Sequence, residues 1–181
     1  MKLEYDLGDY VLRALDETYT QQVLDFYSRN QASFNQYETD KPVNFYTQEY
    51  ISLMLNAEFN GYIKGNYIRF YLYKKDIPDY IVATCSFSHI HYADTKSCNI
   101  GYKVDSLYHN RGIATSLVSQ CVKIMCEEKG LHRFDSYILP SNAPSLRVME
   151  KLGWIDEGIA YKYAFINGTW KDHKHFVYIN N

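Results

Sequence analysis

Six consecutive residues, His109-Asn110-Arg111-Gly112-Ile113-Ala114, have the chemistry of an anion-binding turn. They head a run in which Ala114, Leu117, Val118, Cys121, Ile124 and Met125 recur at helical spacing. The first N–H groups of a helix have no intrahelical partner, and the helix dipole adds partial positive charge there. A pyrophosphate fits such a terminus if the backbone can approach it closely. Asn110 tolerates left-handed geometry, Gly112 has no side chain in the way, and Ala114 is small. Arg111 adds a planar, fixed positive charge. On spacing alone, the same turn could merely join a strand to a helix. A second run, Asn142-Ala143-Pro144-Ser145, opens another helix, with Asn142 as cap, Pro144 in the first turn and Gly153 just past the end.

The elements that must position these residues follow in order. The apolar run 100–104 predicts a strand leading into the turn, and Lys129-Gly130 ends the helix after it. Residues 134–139 predict the strand between the two helices. Upstream, residues 10–15 read as a first strand, and Asp16 or Thr18 as the cap of a helix over 21–30. Residues 31–44 are polar and irregular, with Lys41-Pro42 as a breaker, and a second helix starts at Thr47. Strands are predicted over 67–73, 80–87 and 96–104, separated by a turn at 74–79 and a loop at 89–95, as an antiparallel meander. Two last strands, 160–166 and 171–179, are joined by Asn167-Gly168, a strong hairpin signal.

Composition narrows the function classes. The chain has 181 residues, enough for one domain with a sizeable core, and no repeat or linker divides it. A net charge of −2 argues against a general nucleic-acid binder. Many of the nineteen tyrosines must line strands, and some could line a substrate groove. Cys85, Cys98, Cys121 and Cys126 have no metal-ligand spacing and read as free thiols of a reducing compartment. No signal-peptide core or membrane-length run is present, so a cytoplasmic protein that binds no membrane is expected.

Together these segments resemble the GNAT superfamily of acyl-CoA-dependent N-acyltransferases. The family's phosphate pattern is Gln or Arg, two residues, Gly, one residue, then Gly or Ala; residues 109–114 meet it with His109 in the first slot. Asn142, Ser145 and Glu150-Lys151-Leu152-Gly153-Trp154 meet its later pattern. The Ile-Gly-Tyr strand and the Asn-Ala-x-Ser-x-Arg-Val-Met-Glu-Lys run look like the branch that acetylates N-terminal alanine or serine of ribosomal proteins. The resemblance covers about residues 80–179.

It implies a single α+β domain over 1–181, with a mixed, mostly antiparallel central sheet splayed in the middle and helices on both faces. The last strand of the meander would carry a bulge, and the acyl-pantetheine arm would lie in the gap beside it. Tyr102, Lys103 and Val104 would contact that arm, with the Val104 backbone close to the thioester. Residues His109 to Thr115 would hold the pyrophosphate, and Asn142 and Ser145 would complete the acetyl-CoA site. The first helical region would form one wall of the acceptor site. No metal is implied.

Many members place a Glu just before the Ile-Gly-Tyr run as a base, and a Tyr seven residues after the capping Asn as an acid. Asn99 and Met149 hold those positions here. Asn99 cannot take a proton; it can position an amine, and tyrosines, His89 or His91 are the candidate substitutes. An α-amine, with a pKa of about 7.7, is neutral in roughly one molecule in six at pH 7, against about one in 2,500 for lysine. A site with no strong base therefore suits a protein N-terminus. A small amine such as a polyamine, amino acid or antibiotic, and a silent acetyl-CoA-binding module, remain the other readings. The hairpin with Trp170, His173, His175 and Phe176 could be core or the edge of a homodimer.

Overall fold

A computed structural model describes residues 1–180. Eight strands form one sheet: β1 (Glu4–Leu7), β2 (Tyr10–Arg13), β3 (Ile68–Lys74), β4 (Ile77–His91), β5 (Ser97–Val104), β6 (Arg133–Ile138), β7 (Ile155–Ile166) and β8 (Thr169–Ile179). Their order is β1-β2-β3-β4-β5-β6-β8-β7. Every pairing is antiparallel except β5 with β6. That parallel pair spans only Ser97↔Arg133 to Asn99↔Asp135, and beyond it the two strands part. The helices are α1 (Thr20–Arg29), α2 (Gln31–Asn35), α3 (Gln48–Lys64), α4 (Ile113–Lys129) and α5 (Ala143–Lys151).

Strand alternation builds a core on each face. Leu12, Phe70 and Leu72 point to one side, where Leu117, Val118, Cys121 and Met125 of α4 and Met149 of α5 cover them. Val11, Tyr71 and Tyr73 point to the other, beneath Val23, Phe26 and Tyr27 of α1 and Ile51 and Leu55 of α3. The amphipathic periodicity of α3 and α4 is thus spent on opposite faces of one sheet. Local signals fix the ends. The Thr47 hydroxyl accepts from Tyr50 N, and Gly65 closes α3 with a left-handed φ of 75°. Asp16 caps a 3-10 turn ahead of α1 rather than the helix itself.

Several expectations are corrected. Residues 31–44 are not all irregular: α2 occupies Gln31–Asn35 and buries Phe34. Strand β1 was not foreseen. The predicted turn shortens to Lys75-Asp76 because β4 already starts at Ile77, β4 then continues into the start of the predicted loop, and β7 begins five residues early, directly after Trp154. The extra residue expected on β5 lies on β4, between Ser88 and His91, whereas β5 pairs in unbroken register from Asn99 to Val104. His89 absorbs the irregularity with φ 51°. Asn167 and Gly168 are both left-handed, at φ 49° and 74°, as a tight type I′ hairpin turn requires.

Candidate active site

The parting of β5 and β6 creates the site. Asp105 N donates to Val82 O at 2.9 Å, which fixes which residues of β5 face which neighbour. By antiparallel alternation, Gly101 and Lys103 turn their backbone groups to β4, and Ile100, Tyr102 and Val104 turn theirs into the gap. A row of unspent N–H and C=O groups is therefore presented to anything that enters, in the manner of a sheet edge. The Nε2–H of His109 donates to Val104 O at 3.0 Å and ties this end of the row to the following turn. Lys103 enters the cavity through its side chain.

Asp105 builds the corner between strand and turn. Its carboxylate is buried, with 1% side-chain exposure. Oδ2 accepts from Arg29 Nε at 2.6 Å, Asn30 Nδ2 at 3.0 Å and the Tyr80 hydroxyl at 3.0 Å; Oδ1 accepts from Leu107 N at 2.9 Å. Burial pushes the Asp105 carboxyl up, but these four donors outweigh it and hold the group below the usual carboxylate range. The sequence showed only a short polar break here.

The turn has the geometry that its composition suggests. Asn110 and Gly112 take left-handed φ of 59° and 76°. A Cβ at Gly112 would meet nothing within 4 Å, so this glycine is required by conformation and by open approach, not by packing. No side chain caps α4. The amides of Ile113, Ala114 and Thr115 precede the first helical bond, from Ser116 N to Gly112 O at 3.0 Å. Across the gap, Asn142 Oδ1 accepts from Ser145 N at 3.2 Å, which leaves the amide NH2 for a ligand. Tyr102 Oη donates to Ser145 O at 3.3 Å and links the two sides.

These parts enclose a cavity of about 660 Å³, lined by eleven of the twelve residues assigned to the cofactor: Tyr102, Lys103, Val104, His109, Asn110, Gly112, Ile113, Ala114, Thr115, Asn142 and Ser145. Arg111 is the exception; it is exposed, with its guanidinium 5.3 Å from the Tyr108 ring centre. Arg147 and Lys151 of α5 add positive charge to the lining. Free backbone donors, a positively biased helix end and two cations fit a phosphate-bearing, amide-containing arm.

The opposite end was poorly foreseen. Phe34, Gln36, Tyr37 and Glu38 line the cavity from the segment read as irregular. Glu38 pairs with Lys103, and with Lys41 at 2.5 Å. Burial raises the Glu38 carboxyl, but the two ammonium groups prevail and keep it below its ordinary range, so it is an ionised anchor at neutral pH. Tyr137 and His173 also line the cavity. Burial lowers the His173 pKa, against the opposing effect of Lys171 O at 3.2 Å. The only local hint of Glu38 was its i, i+3 spacing to Lys41.

Asn99 stands where the gap closes, paired with Ser88 and Asp135, and does not line the cavity. His89 and His91 are exposed and do not line it either. Met149 is fully buried. Asp135, Glu157 and His175 bring ligand atoms together. Arg133 Nη2 already bridges the two carboxylates, at 2.8 Å from Asp135 and 2.6 Å from Glu157, so the cation position is taken by a guanidinium. Among the described residues, no helix is long and apolar enough to cross a membrane.

Comparison with known proteins agrees with this geometry. A family model described as an acetyltransferase (GNAT) domain matches residues 10–155. The probable N-acetyltransferase YjcK of Bacillus subtilis (strain 168) is 30% identical over 169 residues, 93% of each chain. The crystal structure of ribosomal-protein-S5-alanine acetyltransferase from Vibrio fischeri superposes with a TM-score of 0.93 at 26% identity, covering 99% of this chain and 98% of the other. Mycobacterium smegmatis RimJ in complex with CoA-disulfide has the same fold, with a TM-score of 0.87 at 20% identity, covering 94% and 81%.

Proposed function

This chain belongs to the GNAT acetyltransferase family, whose members use acetyl-CoA and transfer the acetyl group to an amine, and we propose that its acceptor is the α-amine of a protein N-terminus, a ribosomal protein first among them. The carrying observation is the absence, among the described residues lining the cavity, of a carboxylate free to act as base. The Glu38 carboxylate lies between two lysines, and Asn99 stands outside the lining. The amine must then arrive neutral. At pH 7 an α-amine does so in roughly one molecule in six and a lysine in about one in 2,500. The likeness to an enzyme described as acting on S5 alanine points the same way.

The cofactor arm is read into the gap. The pyrophosphate meets the amides of Ile113, Ala114 and Thr115, with Asn110 and Gly112 shaping the turn and His109 holding Val104. The pantetheine amides pair with the free groups of Val104 and Tyr102, and Asn142 and Ser145 face it across the gap. Because the gap closes at Asn99 and Asp135, the reactive end comes nearer Gly101 and Tyr102 than Val104. Held there, the thioester meets the amine in a ternary complex and reacts by direct attack, with proximity and excluded water doing much of the catalysis. The described residues form one cytoplasmic domain in this reading, since one sheet takes strands from both the start and the end of that span.

Thiol release from acetyl-CoA tests it, measured at pH 7 to 8 against free amines and Ala- or Ser-starting peptides, some with blocked α-amines. Turnover confined to peptides with a free α-amine is expected. Efficient acetylation of lysine in the blocked peptides overturns the α-amine reading, and turnover with a single small amine reassigns the acceptor.

A further inference from the structure

With Met149 buried, the proton that the departing thiolate needs must come from elsewhere. The β5–β6 register ends at Asn99↔Asp135. Two residues further along each strand, Gly101 and Tyr137 lie level on opposite sides of the gap, and both line the cavity. Residues two apart on a strand share a face, so the Tyr137 ring lies on the face of Asp135, Asn99 and Lys103. Lys103 reaches Glu38 on that side, which makes it the acceptor side of the sheet. Gly101 is exposed and has no side chain, and a Cβ there would meet only Ser86 Oγ, at 3.6 Å.

Tyr137 is held firmly. Its ring is sandwiched between Tyr163, at 4.1 Å and 12°, and His175, at 4.4 Å and 6°. His175 is fixed in turn: its Nε2–H donates to Asp135 Oδ1 at 2.7 Å, and Arg133 Nη2 donates to the same oxygen at 2.8 Å. Nothing in the cofactor reading explains three stacked rings at the rim of the gap. Such a stack fixes the direction of the one polar atom that Tyr137 carries. Burial, and then the Asp135 charge, raise the phenol above its ordinary pKa, which keeps it protonated.

We propose that Tyr137 is the general acid of this enzyme, donating its phenolic proton to the CoA sulfur as the tetrahedral intermediate collapses. The amine nitrogen attacks the thioester carbon and a C–N bond forms, with the electron pair moving onto oxygen. As that pair returns, the C–S bond breaks and its electrons leave on sulfur, which takes the proton from Tyr137. The nitrogen releases its surplus proton to water, and water reprotonates the phenolate. The amine has then lost one proton and the thiol has gained one. This assignment relies on the cofactor arm lying in the gap and is independent of which amine is the acceptor.

Tyr137→Phe is the test, because it keeps the stacked ring and removes only the hydroxyl. The readout is enzyme-dependent thiol release from acetyl-CoA with hydroxylamine, a nucleophile small enough to need no acceptor pocket. Acetyl-CoA affinity is measured alongside by calorimetric titration. The expected result is a fall of about 10- to 100-fold in the single-turnover rate, with affinity unchanged within about twofold. A variant rate within about twofold of the parent overturns the proposal. So does a rate loss matched by weaker acetyl-CoA binding, and so does a parent enzyme that binds acetyl-CoA but releases no thiol to hydroxylamine. If hydroxylamine responds as expected while no peptide is acetylated, the acceptor assignment fails and Tyr137 stands.

Discussion

Asp105 is the perturbation with the sharpest expected consequence. All four of its partners are donors: Arg29 Nε, Asn30 Nδ2 and the Tyr80 hydroxyl on Oδ2, and Leu107 N on Oδ1. Asn30 also holds the next residue, accepting from Ser106 N at 2.9 Å. Asp105→Ala leaves a guanidinium, itself 28% exposed, facing a cavity with no counter-charge. Removing one partner of a buried pair costs about 3–5 kcal/mol. Asp105→Asn is nearly isosteric, yet it is not conservative here. Its best orientation keeps the three donors on the amide oxygen and turns the NH2 against Leu107 N–H. One hydrogen bond becomes a donor–donor contact and the charge-assisted bond to Arg29 becomes neutral, for about 2–3 kcal/mol. At about 2–4 °C per kcal/mol for a chain of this size, Asp105→Asn should melt roughly 4–12 °C below the parent and Asp105→Ala roughly 6–20 °C below. Scanning calorimetry at pH 7 is the assay, with acetyl-CoA titrated at 20 °C, where weaker affinity is expected because this corner aims the phosphate turn. An Asp105→Asn protein that melts within about 2 °C of the parent refutes the reasoning, since the charge would then not be holding the corner.

Gly112→Ala places a Cβ on a residue at φ 76°, at a strain cost of about 1–2 kcal/mol, and puts a methyl where the proposed pyrophosphate site lies. Acetyl-CoA Kd should rise at least about tenfold by titration calorimetry, with the melting point lowered by only a few degrees. Asp105 and Glu38 both have depressed carboxyl pKa values. Their stabilisation is fully present above the unfolded values of about 3.9 and 4.3 and is lost as pH falls through the lower folded values. The melting point should therefore drop below about pH 4 and Asp105→Ala should flatten that drop, whereas an identical acid slope in the variant counts against it. Phe134, fully buried between Phe87 at 6.0 Å and Tyr178 at 6.0 Å, anchors the strand on the far side of the gap. Phe134→Ala should cost about 3–5 kcal/mol in chemical denaturation, and a loss under about 1 kcal/mol would mean that the core closes over the cavity.

The parts of the fold legible in the sequence are those decided within one turn of chain. Thr47 and Asn142 cap their helices through their own side chains, and Asn167-Gly168 turns the hairpin because both residues accept left-handed backbone. The parts that were missed depend on distant neighbours. Glu4-Tyr5-Asp6-Leu7 alternates, with Tyr5 and Leu7 packed against the core, but only four residues carry the pattern and none is fully buried, so pairing with β2 is what makes it a strand. Helix α2 has one buried residue, Phe34, which leaves no period to detect. The first third of β7, Ile155 to Gly158, has three exposed residues and a half-buried glycine, and pairing with β8 rather than pattern makes it a strand.

The same division runs through the site. The half that we propose holds the cofactor is made from backbone groups: the row of amides on β5, and the three N–H groups before the first helical bond of α4. Such groups are set by chain geometry, which glycine and capping residues announce locally. The structure accordingly keeps the turn while leaving Arg111 outside the cavity, and His109 serves by holding Val104 O. The half that we propose receives the acceptor is made from side chains that meet in the folded chain, Glu38 with Lys103 and Tyr137 between Tyr163 and His175. No spacing rule links these positions: Glu38, in the loop after α2, meets Lys103 on β5, and the three rings meet through the pairing of β6, β7 and β8. Substitutions on the cofactor half should thus follow backbone rules, with Gly112 more sensitive than Arg111, whereas those on the acceptor half should follow side-chain chemistry. In the proposed reading, acceptor identity is decided where the strands meet, by residues that become neighbours only in the folded sheet.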